Sequence, residues 1–284
     1  MSPSPRILLS IDYEPWFALV RRYDALVNSI QRRDLDAGFT SIALDTILKK
    51  LGNSTASFFL VGEIANWYPE VPQKILDAGH ELGLHCQIHR PLVNVEELAA
   101  DLQAAASWSA TYGIRGYRAP MVGISEAAYL LLENAGFKYS SSIYAPAGTL
   151  IQKGNIWELP VSTYRFFGRN KSFTAPRGFS LSLLAQGEIP YGSSFSIGLM
   201  GPLVFKILEQ ELQSGLSPVI ILHPYELVSP SEWPSRILWD LVRHPLLWPF
   251  TWNKGDFLSR ILERFPTSSL GAYLDEVLDD RSVN

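Results

Sequence analysis

The chain has 284 residues, which suits one large domain with an appendage or two small domains. Its hydrophobic fraction of 47% and charged fraction of 18% exclude a disordered or collagen-like chain. The net charge is −4, no block of basic residues is present, and Cys86 is the only cysteine. These features argue against a nucleic-acid partner and exclude an intrachain disulfide.

In the first half of the chain, predicted strands alternate with predicted helices. Short apolar runs predict strands at 6–11, 56–61, 81–84, 116–118 and 139–143. Helical spacing and capping residues predict helices at 44–51, 69–79, 95–108 and 125–135. Strands and helices at this spacing favour parallel βα units.

The second half is predicted to begin less regularly. Segment 151–191 is rich in Gly, Ser and Pro, and no element is predicted there. A helix near 203–212, a buried strand at 219–222 and an amphipathic helix at 256–265 follow. No internal repeat interrupts this order.

Beyond residue 230 the sequence becomes rich in aromatic residues that stand among basic ones. They are Trp233, Trp239, Trp248, Phe250 and Trp252, with Arg236, Arg243 and Lys254. This segment could pack across the outside of the protein, or it could lie at a membrane interface. The first apolar run is too short for a signal peptide, and no stretch reaches the ~18–20 apolar residues that span a bilayer, so a cytoplasmic location is expected.

Polar side chains gather at the predicted strand ends, where βα proteins place their functional groups. Asp12 and Glu14 follow the first strand, and residues two apart on an extended chain point to the same side. Two neighbouring acids resist joint ionisation unless a cation lies beside them, so we expect a metal ion or an arginine there. The alternative is a solvated strand end.

Two further candidates are His85 and His89, which stand four residues apart. A helical turn would place both imidazoles on one face, and imidazole with carboxylate suits Zn²⁺ and similar ions. The alternative is a pair of packing or surface histidines. His80 is expected to support the structure, and Cys86 is expected to be a buried thiol.

Arg118 and His223 complete the set of strand-end side chains. Arg118 precedes Ala-Pro, and its guanidinium is suited to hold a carboxylate, although it could also form a rim salt bridge. His223 follows the apolar strand at 219–222. It could donate a proton to a leaving amine near neutral pH, or it could be a satisfied core histidine.

Taken in order, these segments resemble the polysaccharide deacetylase family, also called the NodB-homology or carbohydrate esterase 4 (CE4) group. The resemblance covers about residues 6–227. It is carried by the acidic pair Asp12/Glu14, Phe-Phe-Leu-Val-Gly at 58–62, Gly-His-Glu-Leu-Gly-Leu-His-Cys-Gln-Ile-His-Arg-Pro at 79–91, Arg-Ala-Pro at 118–120 and Leu-His-Pro-Tyr-Glu-Leu at 222–227. The tail is similar to the C-terminal extension of a bacterial branch linked to exopolysaccharide and cell-surface glycan loci.

The resemblance implies an α/β fold, a distorted (β/α)7 TIM-like barrel over 1–228, with a C-terminal extension over 229–284 packed on it. It also implies a hydrolase that removes N-acetyl groups from an amino sugar in a polysaccharide or glycan precursor, with one divalent metal, usually zinc. The implied roles are base for Asp12, metal ligands for Glu14, His85 and His89, orientation of the base for Arg118, and general acid for His223.

The sequence departs from the family's pattern at three positions. Many members have Asp where Glu14 stands, and the branch with the similar tail has Asp at the positions of Pro15 and Ser140. Two alternatives therefore stay open. One is an amidohydrolase of the same fold that acts on a formamido sugar or a ureide, and the other is a non-catalytic glycan-binding relative.

Overall fold

The fold is an α/β structure with one large and one small sheet. The computed structural model describes residues 3–18, 28–92, 94–166, 178, 181–185, 187–228, 239, 242–243 and 247–283. The strands are β1 (Ile7–Tyr13), β2 (Ser57–Val61), β3 (Glu81–Cys86), β4 (Gly116–Tyr117), β5 (Tyr139–Ser140), β6 (Tyr144–Pro146), β7 (Ile151–Lys153), β8 (Ile156–Glu158), β9 (Val161–Arg165), β10 (Glu188–Ile189), β11 (Val219–Leu222) and β12 (Thr267–Ser268). The helices are α1 (Ser29–Asp36), α2 (Phe39–Leu51), α3 (Gly62–Trp67), α4 (Glu70–Asp77), α5 (Val95–Thr111), α6 (Ala128–Asn134), α7 (Leu181–Ala185), α8 (Ser194–Gln213), α9 (Pro224–Leu227), α10 (Trp248–Thr251), α11 (Gly255–Arg264) and α12 (Leu270–Val283).

The large sheet is mainly parallel. Within the described part of the chain, parallel strands follow the order β11-β1-β2-β3-β4-β5-β8, with β7 antiparallel at the edge and β12 beside the start of β1. The small sheet has the order β10-β9-β6. The large sheet is curled, and this arrangement confirms the predicted distorted (β/α)7 barrel.

The first strand shows how the sequence separates core from site. Ile7, Leu9 and Ile11 lie in the main apolar core with side chains of the surrounding helices. Leu8 points the other way, into a smaller cluster to which β1, β2, β5, β11 and α12 contribute. Since side chains alternate along a strand, Ser10 and Asp12 follow Leu8 towards the barrel interior.

Gly192 connects β9 of the small sheet to β11 of the large sheet. Its N–H donates to the Ser162 carbonyl at 2.9 Å, and its own carbonyl accepts from Ile221 N–H at 2.8 Å. A Cβ on Gly192 would lie 2.3 Å from the Val219 carbonyl oxygen, so only glycine allows this approach. The chain thereby continues the curvature of the sheet from β9 to β11.

The C-terminal helix α12 packs at the end of the barrel where the parallel strands begin. Leu270 and Leu274 are buried in the cluster that contains Leu8. The Leu270 N–H donates to Ser57 Oγ at 2.8 Å, which satisfies one of the free N–H groups at the start of the helix. Functional side chains are therefore left to the opposite end, where the strands finish.

Several element predictions need correction. The described residues of segment 151–191 contain four short strands (β7 to β10) and helix α7, and α8 begins at Ser194 rather than near residue 203. Helix α8 continues through Pro202 because the backbone departs from helical geometry at Met200, with φ −133°. Helix α6 begins at Ala128, after the predicted cap Ser125.

The aromatic tail is only partly described, and Trp233 and Arg236 lie outside the described residues. Trp239, Trp248 and Trp252 are 70%, 51% and 49% exposed, so about half or more of each side chain faces solvent. Contact with a membrane stays a prediction. Among the described residues, no helix is both long and apolar enough to cross a bilayer.

Candidate active site

Asp12 and Arg118 form a buried ion pair inside the barrel. Arg118 Nη1 donates to Asp12 Oδ1 at 2.7 Å and to Ser10 Oγ at 2.7 Å, and Arg118 is fully buried. Ser141 accepts the remaining bonds through its carbonyl (2.9 Å) and Oγ (2.7 Å). Because a buried arginine is stable only when its donors are used, this network fixes the carboxylate of Asp12 at the strand end.

Glu14, His85 and His89 converge beside this pair. Glu14 Oε2 lies 2.9 Å from His89 Nε2 and 3.6 Å from His85 Nε2. One potential ligand atom from each residue falls within 4.8 Å of the other two. One carboxylate oxygen and two imidazole nitrogens are a common donor set for Zn²⁺ and its neighbours, so this group could hold a divalent metal.

The backbone sets the orientation of His85. Its Nδ1 lies 2.9 Å from the Arg118 carbonyl oxygen, which can only accept a hydrogen bond. Nδ1 therefore carries a proton, and Nε2, which faces Glu14, is the nitrogen that a metal ion could bind. This arrangement is typical of histidines that bind metals, and it fits the donor set.

The two histidines do not share a helix. His85 stands near the end of β3, and His89 lies in the loop that follows. A helical turn is therefore the wrong reason for their proximity, although the prediction that they lie together is confirmed. Asp101 accepts from the Gln87 and Ile88 N–H groups at 2.6 and 3.2 Å, and these bonds shape the loop between the histidines.

His223 lies on the other side of Glu14, with 3.8 Å between His223 Nε2 and Glu14 Oε1. Its Nδ1 lies 3.0 Å from Glu226 Oε1, and its backbone N–H donates to Glu226 Oε2 at 3.1 Å. The ring is stacked on Tyr225 with a centroid distance of 5.2 Å. These contacts hold the imidazole with Nε2 directed at the site.

Burial and neighbouring charges change the acidity of these groups. Burial opposes ionisation of Glu14, but His89 and His85 hold its pKa well below the usual range. Burial opposes protonation of His223, but the Glu226 carboxylate prevails and raises the pKa of His223 to about 9. At neutral pH the site therefore contains an ionised Glu14 and a protonated His223.

Three residues of the site were not predicted to belong to it; Lys254 was grouped with the residues that could lie at a membrane interface, but it is buried. Tyr225 Oη donates to Glu14 Oε1 at 2.9 Å, Glu226 binds His223, and Lys254 Nζ lies 3.3 Å from Glu226 Oε1. Tyr225 and Glu226 directly follow His223 and Pro224, so their position in the sequence could have indicated that they belong to the site. Nothing in the sequence connects Lys254 to them.

Other residues singled out from the sequence lie away from this cluster or support it. His80 is buried against Phe58, with ring centroids 5.1 Å apart, and Cys86 is a buried thiol, as expected. Ser140 Oγ donates to Ser142 Oγ at 2.8 Å, and Ser142 N–H donates to the buried Glu158 at 2.6 Å. These serines stabilise the strand end after β5.

Comparisons with known proteins bear on the fold alone. No family model and no curated protein match the sequence. A Mycobacterium smegmatis protein described as a "putative polysaccharide deacetylase" has a TM-score of 0.54 at 18% identity, covering 93% of this chain and 95% of its own. The PuuE allantoinase has a TM-score of 0.55 at 14% identity, with coverage of 90% and 89%.

A third solved structure is a CE4 family pseudoenzyme from Bacillus anthracis. Its TM-score is 0.50 at 12% identity, and the match covers 96% of this chain and 67% of that one. These similarities confirm the NodB-type CE4 fold predicted from the sequence. The neighbours' names include two hydrolases and a pseudoenzyme, so the activity must be argued from the site.

Proposed function

We propose that this protein is a metal-dependent hydrolase that removes the N-acetyl group from an amino sugar in a polysaccharide or glycan precursor. The observation that carries the proposal is the arrangement of three buried groups around one point. Glu14, His85 and His89 form a metal-type donor set, with the Asp12–Arg118 pair and the His223–Glu226 pair beside it. A hydrolase of amides needs a base and an acid of this kind.

The donor set would hold zinc or a similar divalent ion. When bound there, such an ion polarises the amide carbonyl and lowers the pKa of water. The two histidines supply neutral nitrogens and Glu14 supplies the charge. Tyr225 donates to Glu14 Oε1, which leaves Oε2 directed at the histidines.

Asp12 is the proposed base. Arg118 donates to Oδ1 and holds the carboxylate in place, so Oδ2 can accept a proton from the attacking water. The water oxygen adds to the carbonyl carbon, and the C–N bond then breaks. Acetate leaves with the water oxygen.

His223 is the proposed acid. Its Nε2 donates a proton to the amine nitrogen as the C–N bond breaks, because an amide nitrogen leaves readily only when protonated. Glu226 keeps the imidazole protonated at neutral pH. The acetic acid released ionises to acetate, Asp12 gives its proton to solvent and His223 takes one up, so the products are acetate, the free amino sugar and one proton.

The proposal is tested by acetate release from N-acetylhexosamine oligosaccharides by the zinc-loaded protein. We expect turnover that a chelator abolishes, and a loss of about 10²–10⁴-fold in kcat for Asp12→Asn, the range typical of general acid–base catalysis. Formate release from formamido sugars or turnover of a ureide, without acetate release, would show that the protein hydrolyses a C–N bond other than that of an N-acetyl group. Glycan binding without turnover of any of them would contradict a hydrolase.

A further inference from the structure

Lys254 is a buried cation that the mechanism above does not use. Only 3% of its surface is exposed, and it stands in the connection between α10 and α11. Its ammonium donates to the carbonyl oxygens of Pro249 at 2.9 Å, Phe250 at 3.3 Å and Trp252 at 3.4 Å. Burial of a lysine ammonium destabilises the fold unless neighbouring groups compensate its charge, so we consider the groups that bind the ammonium of Lys254.

The first group of partners belongs to α10. The carbonyl groups at the end of a helix have no partner within the helix and carry a partial negative charge. The ammonium of Lys254 binds three carbonyls in and directly after α10, and thus fixes this short helix in place. Burial lowers the pKa of Lys254, while the nearby Glu226 carboxylate opposes that change.

The second partner is Glu226, whose carboxylate is fully buried. Lys254 Nζ lies 3.3 Å from Glu226 Oε1, and the Lys254 backbone N–H donates to the Glu226 carbonyl at 2.7 Å. The same Oε1 lies 3.0 Å from Nδ1 of His223. One ammonium therefore lies two contacts away from the proposed acid.

Helix α10 also reaches His223 directly. The Phe250 ring packs edge-on against His223 with a centroid distance of 6.2 Å, and it contacts Phe195 of α8 at 5.3 Å. Tyr225 covers the other ring surface of His223. Both the carboxylate and one aromatic neighbour of the imidazole are thus held by Lys254.

We infer that Lys254 is a positioning residue for the leaving-group side of the site. It holds Glu226 and α10 in one arrangement, and through them it directs His223 Nε2 at the departing amine nitrogen. The inference rests on the proposed function, because His223 has a leaving group to protonate only in that reaction. A residue from the C-terminal segment would then take part in assembling the site.

The inference predicts a dependence on the leaving group. An amine must receive a proton as the C–N bond breaks, whereas p-nitrophenolate leaves from an acetate ester without one. Misplacing His223 therefore slows amide hydrolysis and spares p-nitrophenyl acetate. A defect in the metal site or in Asp12 slows both, because both substrates need the attacking water.

The test uses the zinc-loaded 284-residue protein and its Lys254→Met variant. For the N-acetylated sugar we expect kcat to fall by about 10–10²-fold, up to the lower end of what general acid catalysis contributes, with KM little changed. Hydrolysis of p-nitrophenyl acetate and zinc content should stay within about twofold of wild type, on the same argument. Lys254→Arg, which keeps the positive charge, should recover part of the amide activity.

Arg165→Met is the matched control, because it also removes a buried cation from a buried carboxylate, Glu188, outside the site. Arg165→Met should lower the stability of the protein, but it should not slow hydrolysis of the amide more than hydrolysis of p-nitrophenyl acetate. Equal losses on both substrates for Lys254→Met, or unchanged amide turnover, would overturn the inference. If Lys254→Met does not fold, Glu226→Gln must show the same separation. A wild type inactive on the amide would instead refute the proposed function.

Discussion

At the scale of single residues, the first prediction is a pH dependence of kcat that follows from the pKa of His223. Glu226 raises the pKa of His223 to about 9, so the acid is protonated below that pH and loses its proton above it. We expect kcat for acetate release to decline as the pH rises through about 9. Glu226→Gln removes the carboxylate, and the decline should move to lower pH, as a pH–rate profile would show.

Glu188→Gln is the control for this profile, since Glu188 is equally buried but pairs with Arg165. It should leave the alkaline limb unchanged. An alkaline limb that stays in place in Glu226→Gln would show that another group sets it.

The residues of the site were only partly predictable from the sequence. Asp12, Arg118 and His223 could be found because each stands near or directly after the end of a strand, and parallel strands end at one edge of a sheet. His85 and His89 were paired by their spacing, but a strand end and a loop, not a helix, bring them together. Lys254 could not be found, because its role depends on how the C-terminal segment folds back over α9.

At the scale of elements, the next prediction concerns two glycine substitutions in α8, on which α10 packs. A Cβ on Gly198 of α8 would lie 1.9 Å from the Pro249 carbonyl oxygen, whereas a Cβ on Gly201 would meet no neighbouring element within 4 Å. Gly198→Ala should therefore displace α10 and destabilise the protein. Gly201→Ala should change the stability by less than about 1 kcal/mol, because the helix propensity of alanine is opposed by the position before Pro202.

Thermal and denaturant unfolding of the two variants measures this difference. Because α10 carries Phe250 and is fixed by Lys254, Gly198→Ala should also slow amide hydrolysis while Gly201→Ala does not. Equal stabilities would mean that α10 does not pack on α8 as described here.

Element prediction failed where length and composition gave weak signals. The four strands within 151–191 have two to five residues each, too short for alternation to show among Gly, Ser and Pro. The first turns of α8 contain Gly198, Gly201 and Pro202, which disfavour a regular helix, and the structure accommodates them with a kink and a close helix contact.

At the scale of the whole molecule, the barrel has one closed and one functional end. Helix α12 covers the end where β1 and β2 begin, and the buried polar groups collect where β1, β3 and β11 finish. The alternation of strands and helices predicts the parallel βα units, whereas the distorted barrel was expected from the resemblance to the polysaccharide deacetylase family. The substrate was not predictable, because recognition of a sugar depends on the rim of the site rather than on the strands that build it.

The proposed reaction depends most directly on a metal ion held by Glu14, His85 and His89. Metal analysis of the purified wild type beside the His85→Ala/His89→Ala double variant tests it, with His80→Phe as the control for loss of a histidine outside the group. We expect about one zinc or similar ion per chain in the wild type and in His80→Phe, and none in the double variant. A wild-type protein that holds no metal and takes up no added Zn²⁺, Co²⁺ or Ni²⁺ would contradict the proposed metal site and the metal-dependent reaction.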